Sequence, residues 1–184
     1  MQAKKQNINK VIEVLAIAPK DVDNMWPLVE FQIKEALKYG GGWAESSHIK
    51  ANCKKDTNQL FIIYGSDDGL ENKVFGVMVT QFMQLPNFKE YQVLILTGKY
   101  YKLWVDKIIK TIEEMGKLNS CKRISVQGRP GYLKSVMPHG WKVKHYHFVK
   151  ELAGVSLASA EAEAEAAGDR LLALKQTLQE KHPE

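Results

Sequence analysis

In the stretch "LILTGKYYKLW", Leu94–Trp104, two lysines follow directly on an apolar run that passes into a helix-forming segment. A strand-to-helix junction exposes backbone N–H groups at the positive end of a helix dipole, so Lys99 and Lys102 would add charge to an anion site. A second cluster is "HYH", which puts His145 and His147 on one face of a strand, a spacing that can ligate a metal with His139 or Cys121 as third ligand. No carboxylate and no CxxC pattern accompanies it, so a structural role is the commoner reading and no metal is expected. The run Gly40–Gly42 follows a helical pattern, so it reads as a helix end and a connection, not a phosphate loop. Cys53 and Cys121 lie far apart and read as free thiols of a reducing compartment.

These residues must be positioned by elements that the pattern makes legible. Val11–Pro19 reads as a strand. In the helix that follows, Val22, Trp26, Val29, Ile33 and Leu37 recur at helical spacing, and Pro27 moves the expected start toward Met25. "SSHIKANCKKD" reads as a short second helix capped by Ser46 or Ser47. Strand signals follow in "NQLFIIYG", "KVFGVMVTQFMQL" and "EYQVLILTG", the first two forming a hairpin across "SDDGLEN". "KYYKLWVDKIIKTIEEMGKLNS" is an amphipathic helix with Tyr101, Val105, Ile108, Ile112 and Met115 on one face. "CKRISVQG" is a strand, "RPGYLKSVMPHG" a short helix or turn, and "WKVKHYHFVKEL" a final alternating strand. The order is β-α-α-β-β-β-α-β-α-β. Its central meander excludes a plain doubly wound sheet, and the late strand–helix–strand unit calls for a parallel pair with a crossover.

The 184 residues suffice for one α/β domain, residues 1–152, with an appendage, residues 153–184. The polar N-terminus has no signal-peptide core, and no apolar run approaches the ~18 residues of a membrane span, so no membrane contact is expected. The first 152 residues carry 23 Lys+Arg and 15 Asp+Glu, a net +8, whereas the last 32 carry 3 and 6, a net −3. A basic body suits an anionic contact such as coenzyme A, nucleic acid or an acidic protein face, or serves solubility alone. Lysines and aromatics interleave in "KYYKLW" and "WKVKHYHFVK", which could bind nucleic acid, although strand alternation favours packing for the second.

This order resembles the GNAT (GCN5-related N-acetyltransferase) fold over about Asn9 to Leu152. The helices Asp21–Gly40 and Ser46–Asp56, the strand Tyr91–Gly98 with the helix Tyr100–Leu118, and "YLKSVMPHGWKV" each match a part of it. Within the fold, "ALKYGGGWAESSHIKANCKKDTNQLFIIY", "VQGRPGYLKSVMPHGWKV" and "HFVKEL" are similar to a divergent group found in tailed bacteriophages, some of them virion-associated. That resemblance implies a location in host cytoplasm, virion or both.

The resemblance also implies an acyl-CoA site. Pantetheine would run along Leu96 and Thr97, and the pyrophosphate would meet Gly98, Lys99 and Lys102. The family cradle there has Arg or Gln, two residues, glycine, one residue, then glycine or alanine. With Lys99 at the basic position, Lys102 and Trp104 fall where glycines belong, so a degenerate site with no cofactor is expected; acetyl-CoA or CoA is expected if the chain is an enzyme. The family's acid tyrosine lies four residues before the Gly-aromatic pair, which here is Val136. Tyr132 and His139 are the nearest substitutes, and Glu90 and Tyr91 the candidates for a water-mediated base.

The appendage is a separate kind of sequence. Leu157, Ala160, Ala164, Ala167, Leu171, Leu174 and Leu178 follow a 3-4 spacing, a coiled-coil seam interrupted at Gly168. Such a stripe needs a cover: self-association, another virion protein docking on the 156–181 helix, or the chain's own domain. Two functions therefore stand open. One is a phage GNAT-like assembly or binding module with a degenerate site. The other is an acyl-CoA-dependent N-acyltransferase for a protein lysine, a small amine or a nucleobase.

Overall fold

The computed structural model describes residues 12–66, 73–128 and 133–144. In chain order these form β1 (Ile12–Ile17), α1 (Val22–Tyr39), α2 (Ser46–Lys54), β2 (Asn58–Gly65), β3 (Lys73–Leu85), β4 (Phe88–Gly98), α3 (Val105–Leu118), β5 (Arg123–Val126) and α4 (Leu133–Val136). The strands make one mixed sheet in the order β1-β2-β3-β4-β5. It is antiparallel from β1 to β4, and β5 lies parallel to β4. The α/β order expected from the sequence holds through α4.

Helices cover both faces of this sheet. On one, Trp26, Val29, Ile33 and Leu37 of α1 and Ile49 of α2 join Leu60, Ile62, Val77, Val79 and Ile95 in a core. On the other, Ile108 and Ile112 of α3 and Trp104 pack with Phe61, Ile63, Phe75, Met78, Tyr91 and Val93. Successive residues of a strand point to opposite faces, so "LFII" in β2 divides alternately between the two cores. A strand buried on both sides reads as a continuous apolar run, as β2 does.

Local boundaries differ from the sequence pattern where tertiary contacts override propensity. Helix α1 begins at Val22, not near Met25, because Val22 and Trp26 are both buried and anchor the first turn; Pro27 is carried inside the helix. A 3-10 turn, Pro19–Asp21, leads into it. Glu45, not Ser46 or Ser47, is the residue that caps α2, and its N–H donates to His48 Nδ1 at 3.4 Å. Lys50 and Lys54 reach Asp23 at 2.9 and 2.6 Å. The Lys54 hydrogen bond, and then that of Lys50, hold the Asp23 carboxyl below its ordinary range. Desolvation pushes the Cys53 thiol up to about 12, consistent with an inert, buried thiol.

Helix α3 starts at Val105, five residues after the expected start. Tyr100 takes the left-handed conformation (φ 54°), and Tyr101–Leu103 form a 3-10 turn. Strand β5 covers four residues of the eight expected. Of the expected final strand, Trp141–Lys144 have no regular structure, and residues 145–152 lie outside the described residues. So do Tyr132, His145, His147, the division at 152/153 and the heptad seam.

The β4–β5 pairing is short and held at one end. It runs from Glu90↔Arg123 to Val93↔Val126. Buried Glu90 accepts hydrogen bonds from Arg123 Nε at 2.5 Å and from the Ser125 hydroxyl. The Arg123 guanidinium lies 4.6 Å above the Phe88 ring, and the Lys122 N–H donates to Lys89 O at 2.9 Å. Removing Arg123 would leave a buried carboxylate short of a charged partner. Arg123→Ala is therefore expected to lower stability by about 2 kcal/mol, read as a reduced urea midpoint at constant m-value.

Candidate active site

The β-ladders around β4 part company at one residue. On its β3 side, β4 stays paired as far as Gly98. On its β5 side, pairing stops at Val93. Between them the β3 register skips a residue: Thr80 faces Val93 and Val79 faces Ile95, so Leu94 is the extra residue of a β-bulge. A bulge bends its strand and increases the local twist. Here it falls where β5 stops following β4.

Two cavities flank this notch and share Leu96, Gln127 and Gly128. On the α1 side is a cleft of ≈ 280 Å³, lined also by Leu94, Ile95, Thr97 and the end of α1 with Trp43. On the α3 side is an apolar cavity of ≈ 70 Å³ between Val93, Trp104, Ile108, Val136 and Trp141. An extended ligand lying in the notch would touch both.

The sequence-derived site residues fall into three groups. Leu96 and Thr97 line the notch. Gly98 lies at its outer end, but β3 explains its lack of a side chain. A Cβ on Gly98 would stand 2.4 Å from Phe75 O, and one on Gly76 would stand 2.5 Å from Thr97 O. The two glycines let β3 and β4 close together where the Lys99 N–H donates to Phe75 O at 2.8 Å. Lys99 and Lys102 are exposed in the loop before α3.

Trp104 corrects the sequence reading. Its position in the loop suggested a side chain blocking a phosphate cradle. Instead the indole is buried, 2% exposed, and its Nε1 donates to Lys99 O at 2.8 Å. It turns under the loop into the α3-side core. The loop nevertheless has no glycine between Lys99 and Trp104, and Tyr100, Tyr101 and Leu103 stay exposed there.

The acid–base candidates are dispersed. Glu90 sits at the closed end of the β4–β5 pair, engaged by Arg123 and Ser125. Tyr91 is fully buried; its hydroxyl is 2.9 Å from Thr80 Oγ1, and desolvation raises its pKa. His139 Nε2 lies 3.2 Å from Asp106 Oδ1 in the first turn of α3 and does not line either cavity. Val136 lines the α3-side cavity, and beside it Ser135 donates to Tyr101 Oη at 3.3 Å. Tyr101 is a residue the sequence reading placed on the buried face of a helix, not in a site. Among the described residues no His/Cys/Asp/Glu group could hold a metal, and no helix is long and apolar enough to cross a membrane.

This geometry matches solved acetyltransferases. An aminoglycoside acetyltransferase, HMB0005, from an uncultured soil metagenomic sample superposes with a TM-score of 0.58 at 15% identity, covering 78% of this chain and 99% of that one. A Trypanosoma brucei acetyltransferase gives 0.55 at 12% identity, covering 77% and 100%. The ribosomal-protein-alanine N-acetyltransferase of Brucella melitensis biovar Abortus 2308 gives 0.53 at 11%, covering 77% and 100%. The fold is that of the GNAT acetyltransferases. No protein-family model and no curated protein matches the sequence.

Within this fold, the loop before α3 carries Lys99 and Lys102 and no glycine between Lys99 and Trp104. The burial of Trp104 separates its role from that of Lys102. Trp104→Ala is expected to cost about 3–5 kcal/mol, whereas Lys102→Ala should change stability by less than about 0.5 kcal/mol. Thermal or urea unfolding of the two variants checks this.

Proposed function

We propose that the chain is an acyl-CoA-dependent N-acyltransferase that holds the acyl-pantetheine arm in the notch between β4 and β5. The observation that carries this reading is the bulge at Leu94, coincident with the end of β5 pairing at Val93. It bends β4 between two cavities that meet at Leu96, Gln127 and Gly128, which suits a thioester with an amine approaching from one side. Leu96 and Thr97 would hold the arm, and Lys99 and Lys102 would meet the phosphates by charge, without a backbone cradle. The bound acyl-CoA supplies an activated acyl group; the chain supplies binding, orientation and exclusion of water.

The acceptor would be an amine. The names of the structural neighbours include an aminoglycoside and a ribosomal-protein alanine, both amine acceptors. A small amine or a protein amine therefore suits the open α1-side cleft better than a nucleobase does. Calorimetric titration with acetyl-CoA is expected to give micromolar binding, weakening with salt and on Lys99→Ala/Lys102→Ala substitution. No binding up to millimolar acetyl-CoA would sink this reading.

A second reading keeps the fold and drops the chemistry. It is favoured by one observation: between Lys99 and Trp104 there is no glycine, and Tyr100, Tyr101 and Leu103 project from the loop. The resemblance to tailed-phage proteins would then mean a virion-associated or assembly module, with the 156–181 segment joining it to itself or to another virion protein. Deleting residues 153–184 is expected, on this reading, to lower the mass measured by light scattering or to abolish co-purification of a partner. An unchanged mass with every partner retained would remove the basis for an assembly role.

A further inference from the structure

We propose that the acceptor is a small amine with one basic nitrogen on an aromatic body, and that Trp43 selects it by stacking. This names the substrate class for the α1-side cleft and rests on the acyltransferase reading of the site. The run Gly40–Gly42 builds the selecting surface. Gly41 and Gly42 take left-handed conformations (φ 89° and 65°), which a side chain would strain. The Gly42 N–H donates to Leu37 O at 2.9 Å, so the chain folds back on the end of α1. The Trp43 indole then lies against Gly40, its Nε1 3.4 Å from where a Cβ there would stand.

Trp43 is 55% exposed and Tyr39 65%, yet both line the cleft. A large ring left facing solvent inside a concave site offers a flat apolar surface, and another ring stacks on it favourably. At the inner end, Leu96, Gln127 and Gly128 are shared with the α3-side cavity, so an amine there meets the thioester. The acceptor therefore needs its aromatic body at Trp43 and its nitrogen a short linker away. The cleft of ≈ 280 Å³ is small even for a small-molecule site.

Charge narrows the class further. None of the described residues lining the cleft has a charged side chain. A polycation would bring further ammonium groups out of water with no carboxylate to pair them, which is costly. A single amine can enter neutral and react. The C–N bond forms, the C–S bond breaks, and the sulfur leaves with the bonding pair. The nitrogen loses one proton and the thiol gains one, so the products are the amide and CoA.

The test uses the full chain with Trp43→Ala and Trp43→Phe, and three probe amines: 2-phenylethylamine, n-butylamine and kanamycin, a polyamine. By calorimetry, wild type should bind 2-phenylethylamine about tenfold more tightly than n-butylamine. Trp43→Ala should lose that preference and Trp43→Phe should keep most of it. In acetyl-CoA turnover, Trp43→Ala should raise the KM for 2-phenylethylamine about tenfold and change kcat less than about twofold. Its KM for n-butylamine should stay as in wild type, which a general loss of structure would not allow. Kanamycin should be the poorest acceptor. Equal binding of the two monoamines, an undiminished preference in Trp43→Ala, or preferred transfer to kanamycin would overturn the assignment while the acyltransferase reading stands. Failure of wild type to bind acetyl-CoA would overturn that reading, and this assignment with it.

Discussion

The parallel pairing of β4 with β5 extends over four residues, and the rest of the site depends on where it stops. At one end the buried Glu90 carboxylate holds Arg123 and Ser125, so β5 cannot slide along or peel away from β4 there. At the other end the extra residue Leu94 turns β4 out of the path that β5 follows. A clamp followed by a bulge produces a notch of fixed position. Both flanking cavities meet at that notch through Leu96, Gln127 and Gly128. Without the clamp the strands could separate along their whole length; without the bulge they could continue paired and close the space.

The loop that follows β4 is shaped by the same economy of space. Gly76 and Gly98 let β3 and β4 approach until the Lys99 N–H reaches Phe75 O. The chain then reverses through a left-handed Tyr100 and a 3-10 turn before α3 begins. Trp104 closes this turn from beneath, with its indole in the core and its N–H on Lys99 O. The loop is thus held by its own packing. A glycine-rich cradle, by contrast, depends on bare backbone amides and takes much of its order from a bound anion. That difference sets this loop, which carries two lysines and no glycine between Lys99 and Trp104, apart from such a cradle.

Much of the architecture was legible from residue spacing. The 3.6-residue recurrence of Val22, Trp26, Val29, Ile33 and Leu37 described the buried face of α1, and the apolar run of β2 reflected burial on both sides. The bulge at Leu94 was not legible, since a bulge is a disagreement in register between two strands and neither sequence alone contains it. Nor was the role of Trp104: the same indole could shield a loop or fill a core, and only the packing of α3 against the sheet decides. Tyr101 was misplaced for a related reason. Helical periodicity was extended one turn too far, because the left-handed Tyr100 that interrupts it is not a residue type that announces such a conformation.

By itself the sequence determined the element order from β1 to α4, the buried face of α1 and the absence of glycine between Lys99 and Trp104. These follow from residue type and period, which are local properties. The tertiary structure decided where β4 and β5 part, that Gly98 serves β3, that Glu90 is a clamp, and that Tyr101 and Ser135 share a cavity. Each of these depends on contacts between segments distant in the chain, such as the 34 residues separating Tyr101 from Ser135. Such contacts are set by how whole helices and strands pack, so no reading of a single segment contains them.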